Sequence, residues 1–218
     1  MSSDATVDAF KRLPTAAISD AMDRLGIPGQ ALGMAPLDVR FRLAGRAFTI
    51  RYRPIGAVEK GTVGDYIDDV PPGEVVVLDN AGRLDCTVWG DILTAVAHRR
   101  GLGGTVINGV CRDVVRAIDL GYPIYSKGRY MRTGKDRVEV ESTGQPVSLG
   151  EVQVRPGDIL VGDADGIVVV PRSREDEVLL TAQSIEEAES AIEAETAKGT
   201  RLVDARTKHR YHALQTRG

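Results

Sequence analysis

Residues 75–126 read VVVLDNAGRLDCTVWGDILTAVAHRRGLGGTVINGVCRDVVRAIDLGYPIYS. Two periodicities alternate in this stretch, and their order decides the fold. Val75–Leu78 is a continuous apolar run after the turn Pro71-Pro72-Gly73, the pattern of a strand covered on both faces. Asp91–Arg100 places Ile92, Leu93, Val96 and Ala97 on one helical face, closed by Gly101, Gly103 and Gly104. Thr105–Val110 is a second buried strand. Val114–Leu120 reads as a short helix ended by Gly121, and Ile124–Ser126 as a third strand. A β–α–β–α–β order requires parallel strands joined by helical crossovers.

Upstream, Ala9, Phe10 and Leu13 form a short apolar face. Thr15–Leu25 then carries Ile18, Met22 and Leu25 on one helical stripe closed by Gly26, so residues 1–26 read as N-terminal helices. Residues 27–40, with Pro28, Gly29, Gly33 and Pro36, read as loop. In Ala47–Tyr52, Phe48, Ile50 and Tyr52 alternate with Ala47, Thr49 and Arg51, as in a half-buried strand. From about residue 135 the texture is all-β. Arg137–Glu141, Val147–Val154, Ile159–Val161 and Ile167–Val170 are expected strands, and Gly162–Gly166 is an acidic turn. Two turns, Pro72-Gly73-Glu74 and Pro156-Gly157-Asp158, share one chemistry before valine-rich strands. Ser173 is expected to cap a long C-terminal helix running to Lys198, with Val178, Ala182, Ile185, Ala188 and Ile192 inward. The basic, polar tail after Gly199 is expected to dock on a neighbour or fray. The expectation is one α/β domain over 1–218, with a mixed, partly parallel sheet, N-terminal helices and a C-terminal helix and tail over 173–218.

Composition narrows the function. The 218 residues carry a net charge of −3, with 42% hydrophobic and 27% charged residues, ordinary for a soluble globular chain. Met1–Asp8 is polar, unlike a signal peptide, and no apolar run approaches the roughly 20 residues that cross a bilayer. A cytoplasmic location and no membrane partner are the expectation. Lys and Arg are scattered without interleaved aromatics, which argues against nucleic-acid binding. Cys86 and Cys111 read as two reduced thiols.

The chemistry concentrates between Trp89 and Asp113. Gly90-Asp91 opens a helix whose first amides, near Ile92 and Leu93, lack intrahelical partners and form an anion site. The strand Thr105–Val110 delivers Arg112 and Asp113 at its C-terminal end, the edge where ligands gather in open α/β sheets. Gly90–Leu93 and Arg112–Asp113 are therefore expected to meet. Arg112 offers a planar fork for a carboxylate or enolate oxygen. Asp113 offers a hard oxygen ligand for Mg²⁺ or Mn²⁺, ions that need only one or two protein carboxylates. Asp91 is placed to hold waters around such a metal. An Arg-Asp pair at a strand end is, on spacing alone, usually a surface ion pair, and Gly-Asp is usually a helix start.

Trp89-Gly90-Asp91-Ile92-Leu93 followed by Asn108-Gly109-Val110-Cys111-Arg112-Asp113 resembles the RraA-like family. That family includes class II 4-hydroxy-4-methyl-2-oxoglutarate (4-carboxy-4-hydroxy-2-oxoadipate) aldolases. Its hallmark is an acidic residue, twenty residues and then Arg-Asp; here residues 92–111 separate Asp91 from Arg112. The resemblance extends to Ile18-Ser19-Asp20-Ala21-Met22, Pro156-Gly157-Asp158 and Asp163–Pro171. It implies a swivelling β/β/α sandwich and a divalent-metal-dependent lyase that releases pyruvate from a 4-hydroxy-2-oxo acid through an enolate, with oxaloacetate decarboxylation alongside. It implies that backbone amides of Gly90, Asp91, Ile92 and Leu93 bind the pyruvate carboxylate and that Arg112 binds substrate and steadies the enolate. Asp113 would ligate the metal, and Asp91 would order its waters and assist proton transfer. Similar proteins form homotrimers or dimers of trimers with a Glu entering from the neighbour, for which Glu189 is the candidate. Family members often carry an acid three positions after Asp113, where this chain has Arg116. The loop Gly61-Thr62-Val63-Gly64-Asp65 also departs from the family form.

Two other functions stay open: a regulator that inhibits an RNA-degrading endonuclease, and a lyase or hydratase acting on a sugar acid. Regulators of this kind lack the acidic partner of the Arg-Asp pair, so Asp91 favours the enzyme. Elsewhere, Asp163 and Asp165 read as an acidic β-turn rather than a calcium loop. His98 reads as solvated, and His209 and His212 as a pair without a third ligand. Cys111, beside Arg112, is a candidate for a lowered thiol pKa but has no placed His base. Trp89 reads as a packing residue near the pocket rim.

Overall fold

The structure, a computed structural model, describes residues 4–56 and 61–211. In chain order the elements are α1 (Ala5–Phe10), α2 (Thr15–Leu25), β1 (Gln30–Ala31), β2 (Ala35–Pro36), β3 (Leu43–Pro54), β4 (Val75–Thr87), α3 (Asp91–Arg99), β5 (Gly104–Cys111) and α4 (Val114–Leu120). They continue as β6 (Ile124–Arg129), β7 (Val138–Thr143), β8 (Val147–Leu149), β9 (Val152–Val154), β10 (Ile159–Asp163), β11 (Gly166–Val170), α5 (Glu175–Thr196) and α6 (Leu202–Lys208). The main sheet is mixed, in the order β1-β11-β10-β3-β4-β5-β6-β2, with β7 also on β3. The parallel pairs are β3–β4, β4–β5 and β5–β6, as the alternation in 75–126 requires.

Two cores flank the β10–β11 hairpin. Every residue of these two strands is buried. Leu160, Ile167 and Val169 enter the main core around β3–β6. Ile159, Val161, Val168 and Val170 enter a second core against Phe10, Ile18 and Met22 from the N-terminal helices and Val178, Ala182 and Ile185 from α5. Period-two alternation thus feeds two layers at once, which explains the uninterrupted apolar sequence.

Several expectations need correction. In β3, Ala47 and Thr49 are buried along with Ile50 and Tyr52, whereas Phe48 is half-buried; the strand lies mid-sheet and both faces are covered. Residues 27–40 contain the short edge strands β1 and β2. β4 runs beyond Leu78, where Asp79 accepts from the Ala81 amide and the register against β5 shifts between Asp79 and Arg83. Val147–Val154 is a hairpin, because Gly150 at φ 62° turns the chain between Leu149 and Val152. Ser173 falls within a 3₁₀ turn, Arg172–Arg174, and α5 starts at Glu175 with no side-chain cap. That helix ends at Thr196, and Ala188 is only half-buried. Over its described part the tail contains a further helix, Leu202–Lys208. α6 folds back, and Lys208 and His209 reach Glu195 at 2.5 and 3.0 Å. The two Pro-Gly turns do share one geometry, with Gly73 and Gly157 at φ 84° and 85°. No helix among the described residues is long and apolar enough to cross a membrane.

Candidate functional site

The parallel strands β4 and β5 end at one edge of the sheet, where α3 and α4 begin. Gly90 precedes α3 in an extended conformation, φ −150° and ψ −164°. Its lack of a side chain is needed for close approach. A Cβ there would fall 2.7 Å from Asp113 Oδ2 and 3.2 Å from Arg112 Nε. The Arg112 amide donates to the Trp89 carbonyl at 3.2 Å, tying the end of β5 to the turn before α3. So Gly90-Asp91 and Arg112-Asp113 do meet.

Asp113 is the residue that joins them. It precedes α4 in the left-handed region, φ 56° and ψ 37°, and its side chain makes no cap bond to α4. Such a backbone costs an L-residue about 1–2 kcal/mol, less for Asp than for most. The carboxylate turns instead to α3. Oδ2 accepts the Asp91 amide at 3.1 Å and pairs with Arg112 Nε at 3.2 Å. A left-handed backbone held by a non-glycine residue at this edge makes Asp113 a candidate site residue.

The open amides expected at the start of α3 are in part occupied. Asp113 holds the Asp91 amide, and Asp91 Oδ1 accepts the Ile92 amide at 2.8 Å. The Leu93 amide has no partner among the described residues. The anion affinity of a helix N-terminus is thus expressed, but by the protein's own carboxylates. Ile92 does not face the sheet as the periodicity implied; it is 75% exposed, and Thr94 is buried in its place beside the expected Ala97.

Behind the turn, Trp89 is fixed on every side. Its indole Nε1 donates to Thr94 Oγ1 at 2.9 Å, and that hydroxyl donates to the Gly90 carbonyl at 2.9 Å. Thr87 Oγ1 accepts the Trp89 amide at 3.2 Å and donates to its carbonyl at 2.8 Å. The indole stacks on Tyr122 with centroids 6.2 Å apart. In front lies a cavity of about 240 Å³, with Thr87, Asp91, Arg112 and Thr133 in its polar lining and Val63, Ile92 and Leu93 in its apolar lining. Sequence reading missed Thr87, Thr94 and Thr133. Thr94 carried a signal, since it stands four residues after Gly90 on a helix; Thr133 arrives from a distant segment and carried none.

Arg116 is exposed, and among the described residues its guanidinium has no partner; its amide donates to the Asp113 carbonyl at 3.1 Å. Glu189 is not among the cavity's lining residues. It accepts from the Tyr211 hydroxyl at 3.3 Å, and partial burial pushes its carboxyl above the usual range, aided by Asp20 and Glu186. Among the described residues no three His, Cys, Asp or Glu side chains group as metal ligands.

The remaining candidates resolve simply. Asp163 accepts the Thr15 amide and hydroxyl at 2.9 and 2.7 Å and so anchors the start of α2. His98 is exposed, and His209 pairs with Glu195; His212 lies outside the described residues. Burial pushes the Cys111 thiol up, opposite to the lowering that its neighbour Arg112 suggested.

A family model described as RraA-like, Aldolase/RraA, matches residues 15–169. The chain belongs to the RraA-like family. Over 201 residues it is 40% identical to protein DlpA of Legionella pneumophila, covering 90% of this chain but 32% of DlpA, so it spans about a third of that relative's length. It is 30% identical over 187 residues, 86% of each chain, to a Halalkalibacterium halodurans protein provisionally named 4-hydroxy-4-methyl-2-oxoglutarate aldolase. It shares its RraA-like fold with Streptomyces coelicolor RraAS2, described as an unusual member of the RNase ES inhibitor RraA protein family. The TM-score is 0.78 at 29% identity, over 87% of this chain and 96% of that one. Proteins related to this chain thus carry both aldolase and RNase-inhibitor names.

Proposed function

We propose that this RraA-like protein is a divalent-metal-dependent lyase that cleaves a 4-hydroxy-2-oxo acid of the 4-hydroxy-4-methyl-2-oxoglutarate type to pyruvate and also decarboxylates oxaloacetate. The observation that carries the reading is the convergence of Asp113, Arg112 and the start of α3 beside one small cavity. The donor set suits a hard cation. Asp113 and Asp91 are the acids at the site, hard oxygen donors of the kind Mg²⁺ or Mn²⁺ takes while keeping most of its waters. Asp113 would hold it, and it would supply polarisation of the 2-oxo group.

The chain's own groups do the rest. The substrate carboxylate engages the Leu93 amide and exchanges with Asp113 at the Asp91 amide. Asp91, whose second carboxylate oxygen has no partner among the described residues, takes the proton of the 4-hydroxyl. The freed pair on the 4-oxygen closes to C4=O and releases that fragment as a carbonyl compound. The C3–C4 bond breaks, its electron pair passes through C3 to the 2-oxo oxygen, and Arg112 donates to that oxygen as its charge grows. Proton return to C3 gives pyruvate. The reading extends to a homotrimer or dimer of trimers in which a neighbour's Glu189 reaches the site. Ile92 and Val115, 75% and 65% exposed at the starts of α3 and α4, are apolar surface that such an interface would cover.

The test is pyruvate release from both substrates with Mg²⁺ and with EDTA; turnover unchanged by EDTA contradicts the reading. The RNase-inhibitor alternative draws on the name of the Streptomyces coelicolor neighbour, and Asp91 weighs against it.

A further inference from the structure

Thr133 belongs to no sequence motif, yet the backbone fixes it in the cavity wall. The Thr87 amide donates to the Arg132 carbonyl at 2.9 Å, and Thr87 and Thr133 form an isolated parallel bridge. Gly134 packs so tightly that a Cβ there would fall 2.5 Å from the Thr87 carbonyl oxygen. The segment between β6 and β7 is therefore pinned to β4 at this point, and Thr133 lines the cavity with Asp91 and Arg112.

Its hydroxyl is half used. Oγ1 accepts the Lys135 amide at 3.2 Å, while its proton has no acceptor among the described residues. The other threonine of this wall, Thr87, spends its proton on the Trp89 carbonyl. Thr133 thus offers the cavity a neutral O–H donor, beside the Arg112 cation that serves the 2-oxo oxygen and the Asp91 carboxylate that takes the 4-hydroxyl proton.

We infer that Thr133 is a substrate-contacting specificity residue that donates a hydrogen bond to the 4-hydroxyl oxygen of the substrate. This rests on the lyase reading above. The bond strengthens as Asp91 removes the 4-hydroxyl proton and charge gathers on that oxygen. Oxaloacetate has no 4-hydroxyl, and its C4 carboxylate loses charge as CO₂ forms, so a bond from Thr133 to it does not strengthen in the transition state.

The experiment compares wild type, Thr133→Val and Thr133→Ser, all with Mg²⁺. Turnover is measured on 4-hydroxy-4-methyl-2-oxoglutarate and oxaloacetate, and binding on the hydroxy acid and its deoxy analogue, 4-methyl-2-oxoglutarate. Thr133→Val is expected to lose about 10- to 100-fold in kcat/KM on the hydroxy acid, the range of one hydrogen bond to a charged group. Oxaloacetate turnover should stay within about threefold. Thr133→Ser, which keeps the hydroxyl, should restore the hydroxy-acid rate. Equal losses on both substrates, or no loss on the hydroxy acid, overturn the inference. Should wild type turn over neither substrate, the lyase reading fails and binding decides separately. Wild type preferring the hydroxy acid over its deoxy analogue, with the preference gone in Thr133→Val, upholds the contact; no preference in wild type overturns it.

Discussion

Asp113 Oδ2 stands 3.1 Å from the Asp91 amide nitrogen, so one carboxylate links the end of β5 to the first turn of α3. The same residue holds a left-handed backbone that Gly and Asn tolerate better than Ala. Two properties can therefore be separated by substitution. Asp113→Gly and Asp113→Asn should melt within a few degrees of wild type. Asp113→Ala should melt about 2–4 °C below Asp113→Gly, the equivalent of about 1 kcal/mol in a chain of this size. All three should lose at least about 100-fold in metal-dependent turnover. Equal melting of the Ala and Gly variants would show that the backbone conformation costs nothing.

Gly90 supplies a second prediction. Its backbone suits any residue, so Gly90→Ala is not a strain mutation. The added methyl must displace Asp113 Oδ2 and the Arg112 side chain, which lie within 3.2 Å of its position. Turnover should fall about 10- to 100-fold, since small misplacements of positioned groups carry that cost, while the melting temperature shifts by only a few degrees. Activity at the wild-type level would mean that the two side chains do not work from where they stand.

Thr94→Val tests the support behind the site. The change keeps shape and removes the hydroxyl between the Trp89 indole and the Gly90 carbonyl. Trp89 is 1% exposed, so its Nε1–H loses its partner without access to water. Denaturant unfolding should show a loss of about 1–3 kcal/mol. Thr94→Ser should recover most of it.

The sequence carried the frame of this site because its signals were local. A glycine before a helix, an Arg-Asp pair after a valine-rich strand and the β–α–β order between them sufficed to place Gly90–Leu93 against Arg112–Asp113. Side-chain partners were not legible. Periodicity places Ile92 on the buried face, yet Thr94 takes that place because its hydroxyl serves the Trp89 turn. The helix-start amides look open in the sequence because spacing cannot show that Asp113 turns back on the Asp91 amide. Ser173 resembled a cap, but the 3₁₀ turn over Arg172–Arg174 moves the start of α5 beyond it. Thr133 came to the cavity through a bridge to Thr87, 46 positions earlier (133 minus 87), a pairing with no local trace.

Asp163 gives a pH prediction. Partial burial alone would raise its carboxyl, but the Thr15 hydroxyl and amide and the Asp165 amide outweigh it and hold the group below its ordinary 3.8. A depressed folded value stabilises the charged form. The contribution is present above pH 3.8 and is lost as pH falls below it through the folded value. Asp163→Asn should therefore lower stability near neutral pH and narrow its gap to wild type below that pH. A gap that is constant from pH 7 to pH 3 would exclude the linkage.

The central claim is that Asp113 holds the cation on which cleavage depends. Its most direct measurement is pyruvate release from 4-hydroxy-4-methyl-2-oxoglutarate by wild type and Asp113→Asn, each with Mg²⁺ or EDTA. The account predicts rapid release only for wild type with Mg²⁺, and slow, EDTA-insensitive release for Asp113→Asn. Full Mg²⁺-stimulated turnover in Asp113→Asn would contradict it.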